Sequence, residues 1–88
     1  MKGNAPMNAL TGDLYTKSNH TTLMATGRQD QIWATFDQWK KLGKVVKKGQ
    51  KGTRVCRVVK VKDEENEDTA KTRVKWFSVF NIEQVILL

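Results

Sequence analysis

Thr35-Phe36-Asp37-Gln38-Trp39-Lys40-Lys41-Leu42-Gly43-Lys44-Val45-Val46 is the stretch in which the period of the chain changes. Thr35 and Gln38 have the form of a capping box, in which the threonine hydroxyl accepts from the backbone of the glutamine and the glutamine reaches back. Asp37 suits the positive start of a helix, and Lys40 and Lys41 suit its negative end. Phe36, Trp39 and Leu42 recur at three-residue steps, which makes one apolar stripe. Gly43 is placed as the left-handed residue after the last turn. The spacing therefore predicts a helix over 36–42 with Phe36 and Trp39 in the core. At Val45-Val46 the period falls to two and a strand begins.

Downstream, Lys47-Lys48-Gly49-Gln50-Lys51-Gly52 reads as a turn. Thr53 to Lys62 is rich in β-branched residues and reads as a strand. The run Asp63–Asp68 reads as a solvated hairpin loop, with Lys71 to Phe80 as the partner strand. The remainder, Asn81 to Leu88, is expected to form a short turn or helix packed under the sheet. Upstream, residues 1–7 read as a flexible arm, and Asn8 to Asn19 as a turn-rich segment around Thr11-Gly12-Asp13. A short helix is expected from about Asn19 to Thr26, ended by Gly27. The fold class is α+β: a small antiparallel sheet with one or two short helices packed on it, forming a single domain over 8–88.

A chain of 88 residues supports one domain with a thin core, so few large side chains can be spared from it. The net charge is +7, with 16 Lys and Arg against 9 Asp and Glu. Asp63, Glu64, Glu65, Glu67 and Asp68 account for most of the acids. Most of the bases lie between Lys40 and Lys62. So concentrated a basic field attracts polyanions. A single cysteine, Cys56, cannot form a disulfide within the chain, which points to a reducing interior. One Cys and one His make no zinc site, and neither HExxH nor CxxC occurs. Val85–Leu88 is too short to span a bilayer. The expectation is a cytoplasmic protein with no membrane association, no cofactor and no metal.

Catalysis is disfavoured, because no carboxylate pair stands apart from the acidic run and His20 has no evident Ser or Cys partner. Binding chemistry is better supported. Lys44, Lys47, Lys48 and Lys51 alternate with Gly43, Gly49 and Gly52, a pattern that suits phosphate contact or, alternatively, a solvated turn. Of the aromatics, Tyr15 and Trp33 lie outside regular elements and are open to either base stacking or core packing. Trp76 and Phe77 are neighbours on a strand, so one can be core while the other is exposed beside Lys75 and Arg73. Val55, Val59 and Val61 mark the inward face of the first long strand. Arg54, Lys60 and Lys62 then share the outward face with Cys56 and Val58. The binding candidates are Tyr15, Lys17, Asn19, Trp33, Lys40, Lys44, Lys47, Lys48, Lys51, Arg54, Lys60 and Trp76.

Four segments, in order, resemble one family. Asn8-Ala9-Leu10-Thr11-Gly12-Asp13-Leu14-Tyr15 resembles an N-x-x-T-G-x-x-Y start, with Asn19 as its following asparagine. Trp33-Ala34-Thr35-Phe36-Asp37-Gln38 resembles W-x-T-[FY]-x-Q. Leu42 to Thr53 resembles L-G-x-x-V-x-K-G-E-K-G-T, and Val79-Phe80-Asn81-Ile82-Glu83-Gln84 resembles V-F-N-x-[ED]-Q. These are motifs of the N-terminal single-stranded-DNA-binding domain of ArdC-type antirestriction proteins of plasmids and phages. The family usually has glycine where Lys17 stands and glutamate where Gln50 stands. Larger members continue into a zinc metallopeptidase domain carrying HExxH, a motif absent here.

The resemblance implies a phage or mobile-element protein that binds single-stranded DNA without strong sequence preference, through a basic, partly aromatic surface. The alternative is a protein-interaction module, an inhibitor or recruiter of antirestriction type, docking on an acidic partner. RNA is not separated from DNA by anything in the sequence.

Overall fold

A computed structural model describes residues 5–62 and 70–88, with the side chains of 60–62, 70 and 71 outside that description. The acidic run expected to form a loop lies outside the described residues. The described elements are β1 (Met7–Asn8), α1 (Lys17–Met24), β2 (Ile32–Ala34), α2 (Phe36–Lys41), β3 (Lys44–Val46), β4 (Thr53–Lys62), β5 (Ala70–Asn81), a 3-10 turn (Ile82–Gln84) and β6 (Val85–Leu87).

The capping box forms as its sequence dictates. Gln38 N donates to Thr35 Oγ1 at 3.2 Å, and Thr35 N donates to Gln38 Oε1 at 2.9 Å. Leu42 caps the far end, and Gly43 follows at φ +78°. The long hairpin also forms as read: β4 pairs antiparallel with β5 from Thr53↔Val79 to Lys62↔Ala70. β5 is central, in the sheet order β1-β2-β5-β4. β2 joins it antiparallel, and β1 adds one parallel edge pair, Met7↔Ile32 and Asn8↔Trp33. Pro6 is buried and Met7 pairs with Ile32, so the end of the expected N-terminal arm is part of the sheet.

Strand alternation splits the core in two. Odd-numbered Trp33, Val55 and Val79 face one side and are closed over by Leu23 of α1, with Tyr15 and Phe77 at the margin. Even-numbered Ala34 and Phe80 face the other side, under Trp39 of α2, Val46 of β3 and Val85 of β6. The C-terminal segment forms more than the expected turn: β6 pairs antiparallel with β3, from Lys44↔Leu87 to Val46↔Val85.

Two expectations about aromatic rings are corrected. Phe36 is 45% exposed, because α2 has only six residues and its first lies at the rim of the layer, where it meets the Phe80 ring edge-on at 6.4 Å. Only Trp39 of that stripe is buried, with its indole N–H donating to Phe80 O at 2.8 Å. Trp33, a stacking candidate, is fully buried between α1 and the sheet, and its indole N–H donates to Gln31 Oε1 at 3.2 Å. No face of that ring is open to a base.

Candidate nucleic-acid interface

The layer of α2, β3 and β6 covers one end of the even-numbered sheet face and leaves the hairpin end open. There Trp76 is 58% exposed, with Val58 and Val74 also exposed beside it. Trp76 pairs with Cys56 and Val74 with Val58, so all four residues share that face. The Arg54 guanidinium carbon lies 5.7 Å from the centre of the Trp76 ring, a cation–π arrangement that holds the ring in place. Phe77, the other member of the neighbouring pair, turns inward against the core.

The lysine-rich turn is brought to the same face by two devices. Gly52 crosses β5 so closely that a Cβ there would lie 2.8 Å from Ser78 Cβ and 3.1 Å from the Phe80 ring. Its glycine therefore serves close packing on the sheet. Gln84, buried under the turn, donates through Nε2 to Lys51 O at 2.8 Å and to Gln50 Oε1 at 3.2 Å. Lys47 N donates to Gln84 O at 2.9 Å and Lys47 Nζ to Glu83 O at 3.2 Å. Gly49, at φ +84°, makes the reversal. The backbone of the turn is thus fixed, while Lys48 and Lys51 extend exposed from it and exposed Lys47 rests its ammonium on Glu83 O. Lys44 is half-buried on β3, and exposed Lys40 lies at the end of α2. Lys60 pairs with Thr72 through the backbone, and its side chain lies outside the described residues.

Tyr15, Lys17 and Asn19 are elsewhere. Asn19 is committed to the fold: its amide hydrogen-bonds both backbone groups of Cys56 on the edge strand β4. The amide oxygen and one N–H are thereby used in holding α1 to the hairpin, and Asn19 also lines the cleft described next. Lys17 is exposed at the start of α1 with φ +57°, a conformation that favours glycine. Tyr15 lines a half-open cleft of about 690 Å³ on the odd-numbered side of the hairpin, together with Asn8, Asp13, Gln38, Arg57, Lys75 and Phe77. Burial raises the Tyr15 phenol above its usual range, opposed by the hydrogen bond from Asn8, so the hydroxyl stays neutral.

Arg57, Lys75, Asn8 and Asn81 are not among the binding candidates that the sequence offers. Asn8 Nδ2 donates to Tyr15 Oη at 3.0 Å and to Gln38 Oε1 at 2.9 Å, while its Oδ1 accepts from Leu10 N and Thr11 N. Asn81 Nδ2 donates to Asp30 O at 2.6 Å, and its backbone N–H donates to Gln84 Oε1 at 2.9 Å. These amides are buried hubs that set loop positions. The available signal was their recurrence at turn and cap positions of the four motifs.

The match to the N-terminal domain of the anti-restriction factor ArdC spans residues 1–82. The chain belongs to the ArdC N-terminal domain family. The ArdC domain fold agrees in three dimensions with the crystal structure of antirestriction ArdC from plasmid R388. The metal-free form gives a TM-score of 0.79 at 30% identity over 96% of this chain and 33% of that one. The Mn(II)-bound form gives the same TM-score over 35% of its chain. A 50-residue stretch, 57% of this chain, is 48% identical to 4% of the DNA primase TraC of Escherichia coli. The chain thus spans about a third of the ArdC structures and a small part of TraC. Among the described residues no group of three or more His, Cys, Asp or Glu could hold a metal ion, and no helix is long and apolar enough to cross a membrane.

Proposed function

We propose that this ArdC-type domain binds single-stranded DNA without sequence preference along the open face of the β4–β5 hairpin. The reading is carried by the exposed Trp76 ring, with Arg54 over it, on the strand where Gly52 of the anchored turn bearing Lys47, Lys48 and Lys51 packs against Ser78. An unstacked base can lie on an aromatic face whatever its identity, and mobile ammonium groups follow the phosphates without reading sequence. The Arg54 guanidinium is engaged over the Trp76 ring, and the other cations named on this face are lysines, whose point charges suit phosphates. Kinship with an antirestriction factor and a local likeness to a DNA primase support DNA as the polyanion. Catalysis is no part of this reading.

The test is the affinity for a single-stranded oligonucleotide across a salt series. For single strands the slope of log K against log salt is about −0.7 per phosphate neutralised. Contacts from Lys44, Lys47, Lys48, Lys51 and Arg54 give a slope of roughly −3 to −4. Replacing Lys47, Lys48 and Lys51 with alanine flattens it. A slope near zero, or equal affinity for duplex and single strand, contradicts the proposal.

A further inference from the structure

The cleft on the opposite side of the hairpin has a composition that the strand-binding surface does not explain. Arg57 and Lys75 are direct cross-strand partners and both line it. Like charges placed opposite each other on a sheet destabilise it. Neither has an ion-pair partner among the described residues, where the single salt bridge is Arg28 to Glu83. Next along the same two strands stands the pair Val55 and Phe77, so an aromatic ring adjoins the doubled charge. The facing wall is the loop 8–16, fixed by Asn8, whose amide is fully used in four hydrogen bonds. That wall contributes Leu14, the Tyr15 ring with its neutral hydroxyl, and Asp13. The cleft is therefore polarised, with an acid and hydroxyls on one wall, two bases on the other and apolar rings between. At about 690 Å³ it falls within the roughly 300–1,000 Å³ usual for small-molecule sites.

We infer that this cleft is a subsite for one nucleoside 5′-phosphate, with the phosphate between Arg57 and Lys75 and the base against Phe77 and Tyr15. A phosphate relieves the repulsion between the two cations and accepts charge-assisted hydrogen bonds from both. A base buries its faces on the rings and offers amino groups to the Asp13 wall. The same chemistry is supplied by a free nucleotide or by the 5′-phosphorylated end of a strand. The subsite goes beyond the strand-binding surface, since Arg57, Lys75 and Phe77 lie on the odd-numbered side of the hairpin, opposite Arg54 and Trp76, and the two surfaces meet only at the edge-strand residue Cys56.

Titration of the isotope-labelled protein with deoxyadenosine 5′-monophosphate, followed by amide chemical shifts, tests it. Saturable shifts at Tyr15, Arg57, Lys75 and Phe77 are expected, with deoxyadenosine and inorganic phosphate each binding at least about tenfold more weakly. Arg57→Ala with Lys75→Ala should remove the preference for the phosphorylated nucleoside, and Arg57→Lys should retain most of it. The double variant should melt no earlier than the parent, because a repulsive pair is gone. A decathymidylate with and without a 5′-phosphate separates the sources. A preference lost in the double variant assigns the strand end, and nucleotide binding without such a preference assigns the free nucleotide. Shifts confined to Trp76 and the lysine turn, binding that survives the double variant, or no saturable shift with either probe overturns the inference. The strand-binding surface is read independently, by Trp76 quenching with the 5′-hydroxyl oligonucleotide.

Discussion

Asn19 treats Cys56 as a neighbouring strand would: its Nδ2 donates to Cys56 O at 2.6 Å and its Oδ1 accepts from Cys56 N at 2.9 Å. β4 is the edge of the sheet, so this side chain completes the ladder where no further strand follows. It also fixes α1 against the hairpin, which closes the odd-numbered core over Leu23. Asn19→Ala leaves a donor and an acceptor without partners in a partly buried place. The expected cost is about 1–3 kcal/mol of stability. Thermal melting reads it, and oligonucleotide affinity of the folded fraction should stay at the parent value. Unchanged melting with weakened DNA binding would return Asn19 to the interface.

Lys17 occupies a glycine conformation. Its φ of +57° costs a side chain roughly 1–2 kcal/mol, part of which glycine gives back through greater unfolded-state entropy. Lys17→Gly is therefore expected to stabilise by about 0.5–1 kcal/mol, a rise of a few degrees in Tm. The same variant tests whether this lysine touches phosphate, because one lost contact changes the salt slope by about 0.7. A lower Tm would mean that the Lys17 side chain contributes more than its backbone costs.

Gly52 has the opposite constraint: its backbone angle is permissive but its surroundings are full. A methyl group there meets Ser78 Cβ, the Phe80 ring and Val79 O at 2.8–3.2 Å. Gly52→Ala is expected to cost about 1–3 kcal/mol by overpacking and to lift the lysine turn from the sheet. Affinity for single strands should fall with stability, since the lysines would lose their fixed position on the sheet. In contrast, Ser78→Gly in the Gly52→Ala background removes the nearest clashing atom and should recover part of both losses.

What the sequence made legible follows from where its signals lie. The capping box, Gly43 and the paired runs of β4 and β5 are specified by residues adjacent in the chain, so local rules were sufficient for α2 and the hairpin. The partners of β1, β3 and β6 were not legible, because strands of two or three residues carry too little periodicity to choose a neighbour. Phe36 escapes the core that its spacing predicts, because a three-residue spacing defines a stripe only over several turns, and α2 has fewer than two. The residues around Trp33 form no recognisable strand pattern, so the sequence does not assign its ring to the core. The Trp76 and Phe77 alternation held, since a strand requires its neighbours to part. Asn8, Asn81 and Gln84 stand in the sequence as motif positions, and the structure shows that their value is in the buried hydrogen bonds they complete.

The three tryptophans now divide into separable experiments. Trp33 and Trp39 are 0% and 1% exposed, whereas Trp76 is 58% exposed. Intrinsic fluorescence should contain a blue-shifted component from the first two and a red-shifted component from the third. Binding of an oligothymidylate should quench the red component alone, because stacking requires an open ring face. Trp76→Ala should abolish that quenching, weaken binding by about 1–3 kcal/mol and leave the melting temperature close to the parent value. Trp39→Ala, which opens the even-numbered core and removes the bond to Phe80 O, should cost about 3–5 kcal/mol of stability. Phe36→Ala should cost distinctly less, since its ring is already half in solvent. Quenching that persists in Trp76→Ala, or a Trp76→Ala protein that melts early and binds normally, would move the stacking platform off the open hairpin face.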